Sequence, residues 1–122
     1  MFVLITPIFS QTYKLDSLTA GDSISIVSTS GEYHYCYIFI NNLSEENADT
    51  ITAKVRTIAG TYTTVNLFNL FLRTYDTVAV VPIGTSYLFL VEYNFLNYLK
   101  LTSINTDTTR RTLFEVNWRG KY

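Results

Sequence analysis

The chain has 122 residues, of which 48% are hydrophobic, 16% aromatic and 16% charged. That length fits one domain, residues 1–122, able to bury about two-thirds of its unfolded surface. A formal charge of −1 argues against generic nucleic-acid binding, a single cysteine excludes an internal disulfide, and no stretch reaches the roughly twenty apolar residues of a membrane helix.

Residues 1–11 are apolar, lack a basic leader and are interrupted by Pro7, so they read as an edge strand and no signal peptide is evident. Residues 13–15 fit a short strand, and Gly21 and Asp22 make a turn. In residues 23–27, Ile24 and Ile26 share one face with serines opposite, the pattern of a strand wetted on one side. Residues 28–31 then turn into the most hydrophobic strand of the chain, residues 32–41. Period two puts Tyr33, Tyr35, Tyr37 and Phe39 on one face and His34, Cys36, Ile38 and Ile40 on the other. A strand apolar on both faces belongs in a sheet covered on both sides, or in a sandwich whose outer face is buried by a partner.

Residues 41–49 form the most polar stretch and read as an exposed loop. Beyond it, Ile51, Ala53 and Val55 alternate with Thr52, Lys54 and Arg56, and Gly60 turns the chain back through residues 62–67 as a hairpin. Residues 67–71 fit a strand end or a helical turn. A strand over residues 77–81 stops before Pro82. Residues 86–93 form a second two-faced strand, with Tyr87, Phe89 and Val91 on one side and Leu88 and Leu90 on the other. After a corner at residues 94–97 come a strand over 98–104, a turn at 105–109 and a last strand over 112–118 with Phe114, Val116 and Trp118 inward. About eight or nine strands without an amphipathic helix specify an all-β chain. The expected architecture is a two-sheet antiparallel β-sandwich, jelly-roll-like, with an immunoglobulin-like Greek key as the alternative. Neither Asn-Gly nor Asp-Gly occurs, which argues against a closed meander barrel.

Chemistry is sparse, and no motif names an activity. His34 and Cys36 stand at a spacing that can share a metal, but no further His or Cys completes a site, so a core histidine and a buried thiol are the expectation, with no catalytic residue, metal or cofactor. Glu45, Glu46, Asp49 and Glu92 are the carboxylates available for paired acid–base work. The first three, with Asn41, Asn42, Ser44 and Asn47, also offer oxygens to calcium without the regular spacing of a calcium loop. Asn42-Leu43-Ser44 matches a glycosylation acceptor. Basic residues gather late, and Arg110, Arg111, Arg119 and Lys121 are the candidates for contact with nucleic acid or an acidic partner through the C-terminal segment.

What remains to be explained is surplus ring surface on a chain with little charge to solvate it. Tyr33, Tyr35, Tyr37, Phe39, Tyr87 and Phe89 are the expected interface residues. Composition is similar in class to small jelly-roll proteins of viral shells. The reading is a non-catalytic structural subunit of a virion, capsid or capsid-decorating, that self-associates into a homo-oligomer or joins other structural subunits. The alternative is a carbohydrate-binding sandwich that stacks sugars on Tyr33, Tyr35 and Tyr37.

Overall fold

The computed structural model describes residues 12–19, 24–44, 48–103 and 111–122. The apolar opening segment and the expected turn at 105–109 lie outside them. Nine strands occur among the described residues: β1 (Thr12–Thr19), β2 (Ile24–Asn42), β3 (Asp49–Arg56), β4 (Tyr62–Val65), β5 (Leu67–Asn69), β6 (Thr74–Asp76), β7 (Ala79–Val81), β8 (Ser86–Ser103) and β9 (Arg111–Lys121). Every pairing between them is antiparallel.

Two strands, β2 and β8, are far longer than the others, and each contributes to both layers. Their register slips between Ser28 and Tyr33 and again between Tyr33 and Tyr35. Across from these slips, Phe95 in β8 adopts a φ of 57°. Bulges bend and twist a strand pair, and a strand that bends can leave one sheet and enter another. The turn expected at residues 28–31 and the corner expected at 94–97 are therefore the two facing bends of continuous strands.

Splitting β2 and β8 at these bends gives two sheets. In the first the order is β1, β9, the later half of β2, the earlier half of β8, and then β5 and β6. In the second it is the earlier half of β2, the later half of β8, β3, and then β4 and β7 side by side along β3. Counting the halves as separate strands and leaving aside the three-residue strands β5, β6 and β7, the eight remaining segments pair as 1-8-3-6 and 2-7-4-5, the order of a jelly-roll-like sandwich.

The inner faces meet in one core. Cys36, Ile38, Ile40, Phe89, Val91, Phe114, Val116 and Trp118 come from the first sheet, and Val27, Ile51, Ala53, Val55, Leu99 and Leu101 from the second, all fully buried. Strict alternation in β3 and β9 gives the inward sets expected for them. The expectation for residues 23–27 was inverted: Val27 is in the core, while Ile24 and Ile26 are 48% and 50% exposed. Residues 67–71 form a strand followed by a turn, which the Asn69 side chain closes by accepting the Phe71 and Leu72 amide N–H groups at 2.9 and 3.0 Å.

One end of the sandwich holds the bends, and β9 finishes there. Gly120 has a φ of 68°, and a Cβ on it would stand 3.1 Å from the His34 Cβ. Gly60, in the β3–β4 turn, has a φ of 87° but open space around it. Gly120→Ala is expected to cost about 2–3 kcal/mol and Gly60→Ala about 1 kcal/mol, because only the first adds a collision to the left-handed backbone. Urea midpoints of the two variants check this ordering, and equal losses would contradict the packing of β9 on the β2 bulge.

Candidate functional site

The outer face of the first sheet is built by register. Phe39 on β2 stands between Glu115 on β9 and Leu88 on β8, Tyr37 between Asn117 and Leu90, and Tyr35 between Arg119 and Glu92. Phe68 on β5 extends the Tyr37–Leu90 row and packs at a tilt against Tyr75 of β6, ring centres 4.5 Å apart. Tyr35 and Tyr37 meet edge to face at 5.6 Å, and the Arg119 guanidinium lies 5.9 Å from the centre of the Tyr37 ring. Tyr35, Tyr37, Phe39, Leu88 and Leu90 are all half-buried. Aromatic and aliphatic side chains at the centre of the face, with Glu115, Arg119 and Glu92 around them, are the composition of an apolar interface core with a polar rim.

The expected interface set therefore divides. Tyr35, Tyr37 and Phe39 stand on this outer face. Tyr33 and Phe89 do not, being 3% and 0% exposed in the core, and Tyr87 packs against the core, edge to face with Phe89 at 6.1 Å. The cause is local. The bulge between Tyr33 and Tyr35 lets both Tyr33 and Cys36 face inward and turns His34 out to solvent, so the expected core histidine is exposed. In β8 the outward members are Leu88 and Leu90. His34 and Cys36 thus do not converge, and burial pushes the Cys36 thiol far up, leaving it without nucleophilic character.

The outer face of the second sheet has a different chemistry. Lys54 on β3 is directly opposite Lys100 on β8, flanked by Ile26 and Thr64. Arg56 lies 5.0 Å from the centre of the Tyr98 ring, which in turn packs on Tyr62 at 5.4 Å. Desolvation, and then the Tyr62 phenol beside it, push the Tyr98 hydroxyl above its ordinary value, against the lowering effect of Arg56.

At the bend end, His34, Tyr35, Glu92, Tyr93 and Asn94 line a cleft of about 710 Å³ whose far wall is the turn at residues 57–59. Tyr122 lies beside it with its ring 3.9 Å from His34 and 4.4 Å from Phe95, and its hydroxyl donates to the Asn94 Oδ1 at 3.3 Å.

The opposite end uses up the oxygens that the sequence offers to calcium or to acid–base chemistry. Asn42 is buried, donates to the Val81 carbonyl and accepts the Ser44 amide N–H, both at 2.9 Å, so the glycosylation pattern is not displayed. Asn41 accepts the Ser86 hydroxyl at 2.9 Å. Asp49 is fully buried and accepts hydroxyl hydrogen bonds from Ser103 and, at 2.5 Å, from Thr112. Glu45, Glu46 and Asn47 lie outside the described residues, and Glu92 stands on the outer face, away from Asp49. Among the described residues no group of three or more His, Cys, Asp or Glu side chains is placed to hold a metal.

The basic residues named from sequence do not form one patch. Arg110 lies outside the described residues, Arg111 begins β9 and Lys121 ends it, a separation on the order of 30 Å along the strand, and Arg119 is drawn to Tyr37. The cations that do gather, Lys54, Arg56 and Lys100, were not singled out as a cluster. The alternation of Thr52, Lys54 and Arg56 carries part of that signal, but Lys100 joins them only through the β3–β8 register.

No family model matches the sequence, and no curated protein matches it. The fold is similar to that of several solved structures. The SPBc2 prophage-derived protein YomS superposes with a TM-score of 0.65 at 12% identity, covering 95% of this chain and 98% of that one. The PBSX exported protein XepA superposes with a TM-score of 0.69 at 8% identity, over 93% of this chain and 39% of that one. A protein of Bacillus endospore appendages, which form a family of disulfide-linked pili, gives a TM-score of 0.51 at 13% identity over 92% and 88% of the two chains. At these identities the likeness defines the class, an all-β antiparallel sandwich. No helix among the described residues is long and apolar enough to cross a membrane.

Proposed function

We propose that this chain is a non-catalytic structural subunit that works by self-association, as a component of a virion shell or of a surface appendage. The observation that carries the reading is the outer face of the first sheet, where Tyr35, Tyr37, Phe39, Leu88 and Leu90 form continuous cross-strand rows. Covering such a face removes ring and aliphatic surface from water at about 25 cal/mol per Å². Similarity in fold to a prophage-derived protein and to an appendage protein of a pilus family supports the same reading. Two of the groups that the sequence offers for catalysis are taken up by the fold, since the thiol is buried and Asp49 is held by two hydroxyls, which supports a role without turnover.

Tyr37 is at the centre of the face and is the residue to change. Tyr37→Glu is expected to weaken self-association about thirtyfold or more, the effect of losing one central aromatic anchor. Sedimentation velocity against the parent protein measures it, with circular dichroism to confirm the fold. Unchanged association would remove the first sheet's outer face from the interface.

A second reading rests on the bend-end cleft. Its exposed imidazole, phenol rings, carboxylate and amide suit a saccharide, with ring stacking and hydroxyl hydrogen bonds supplied by Tyr35, Glu92 and Asn94. Tyr33 is not available for stacking. A glycan array probed with the parent protein and with Tyr35→Ala decides it: binding that the substitution abolishes supports the cleft, and absence of binding across the array rejects it.

A further inference from the structure

We infer that copies of this chain join head to tail, the basic outer face of the second sheet of one copy docking on the rings and the two flanking carboxylates, Glu92 and Glu115, on the outer face of the first sheet of the next. This rests on the self-association proposed above and names the second surface that it uses. On the second sheet Lys54 and Lys100 are directly opposite one another. Like charges at that position repel, and the register places only Thr52, Arg56, Thr64, Ile26, Tyr98 and Thr102 around them. Glu32 shares a cleft with Arg56 at the bend but stands beside neither lysine. Two isoleucines, Ile24 and Ile26, are half exposed on the same face, so it offers apolar surface together with lysines that no described carboxylate stands beside in the register.

The first sheet offers carboxylates beside its rings. Glu115 stands beside Phe39, and Glu92 beside Tyr35, while Arg119 lies over the Tyr37 ring and Arg111 shares the outward set of β9 at its far end. Pairing the second-sheet face with itself about a two-fold axis would bring two lysine pairs together, which costs rather than stabilises. Pairing it with the first-sheet face of another copy places carboxylates against lysines and rings against isoleucines. A contact between two different faces of the same chain is heterologous, so it closes into a ring or propagates as a filament and does not stop at a two-fold dimer.

The test uses two charge-reversed forms of the full chain, K54E/K100E and E92K/E115K, both folded by circular dichroism, at a concentration where the parent protein associates. Each alone is expected to associate at least tenfold more weakly than the parent by sedimentation velocity, because like charges then meet where the lysines of one copy faced Glu92 and Glu115 of the next. An equimolar mixture is expected to regain mass, since each face again meets its opposite. A misfolded variant would not be rescued by mixing. Parent-like association of both variants alone, or a mixture that stays at the mass of its components, would overturn the head-to-tail contact while leaving self-association standing. A parent protein that does not associate at all would overturn both.

Discussion

Trp118→Ala is expected to lower the stability of the chain by about 3–5 kcal/mol, among the largest losses that one substitution can cause here. Trp118 is the largest fully buried side chain, lies opposite Cys36 in the β2–β9 register and packs near the Tyr33 ring at 6.1 Å. It fills the first sheet's inner face next to the bulge that carries β2 into the second sheet. Removing it leaves a cavity where collapse would require the bend to move. Trp118→Phe is expected to cost about half as much or less. The indole Nε1 has no hydrogen-bond partner among the described residues, so its loss relieves an unsatisfied donor while most of the ring contact is kept. Urea unfolding followed by far-ultraviolet circular dichroism measures both variants, and a loss under about 1 kcal/mol for Trp118→Ala would contradict the packing of β9 on β2.

Asp49→Ala is expected to cost about 2–4 kcal/mol. One carboxylate links three strands, since Asp49 begins β3, Ser103 ends β8 and Thr112 lies at the start of β9. Alanine leaves two buried hydroxyls without their acceptor, and a buried polar group stripped of its partner costs more than the bond itself contributed. Asp49→Asn keeps one acceptor oxygen and the shape of the side chain, and is expected to lose less than half as much. The same unfolding measurement applies. Equal stability of Asp49→Ala and the parent would mean that this end of the sandwich is not closed by the carboxylate.

These two sites were unequally visible in the sequence. Period-two alternation placed Phe114, Val116 and Trp118 inward because β9 is regular, and the same rule worked for Ile51, Ala53 and Val55 in β3. It failed at residues 33 and 34, where an irregular register lets two aromatic positions exchange faces, and no composition signal marks a bulge of that kind. Inversion of Ile24 and Ile26 has another origin: the strand is regular there, but the face that carries Val27 is the one that enters the core, so the isoleucine–serine alternation points the wrong way. The bends themselves were legible as a Ser/Gly stretch and an Asn-rich corner, but they read as chain breaks because sequence does not distinguish a turn from a bend in a continuous strand. Asp49 looked like a loop carboxylate because its two partners are 54 and 63 residues away. The lysine pair was hidden for the same reason: alternation shows that Lys54 points outward, but only strand pairing brings Lys100 beside it.

The measurement that tests the central claim most directly is the mass of the parent protein in solution by light scattering, over a hundredfold range of concentration at low and high salt. Growth in mass with concentration is the expected result. A marked reduction of that growth in high salt is expected too, because the contact between the two outer faces includes exposed charges that salt screens. A mass that stays at that of one chain throughout the range, at both salt concentrations, would contradict self-association as the work of this protein.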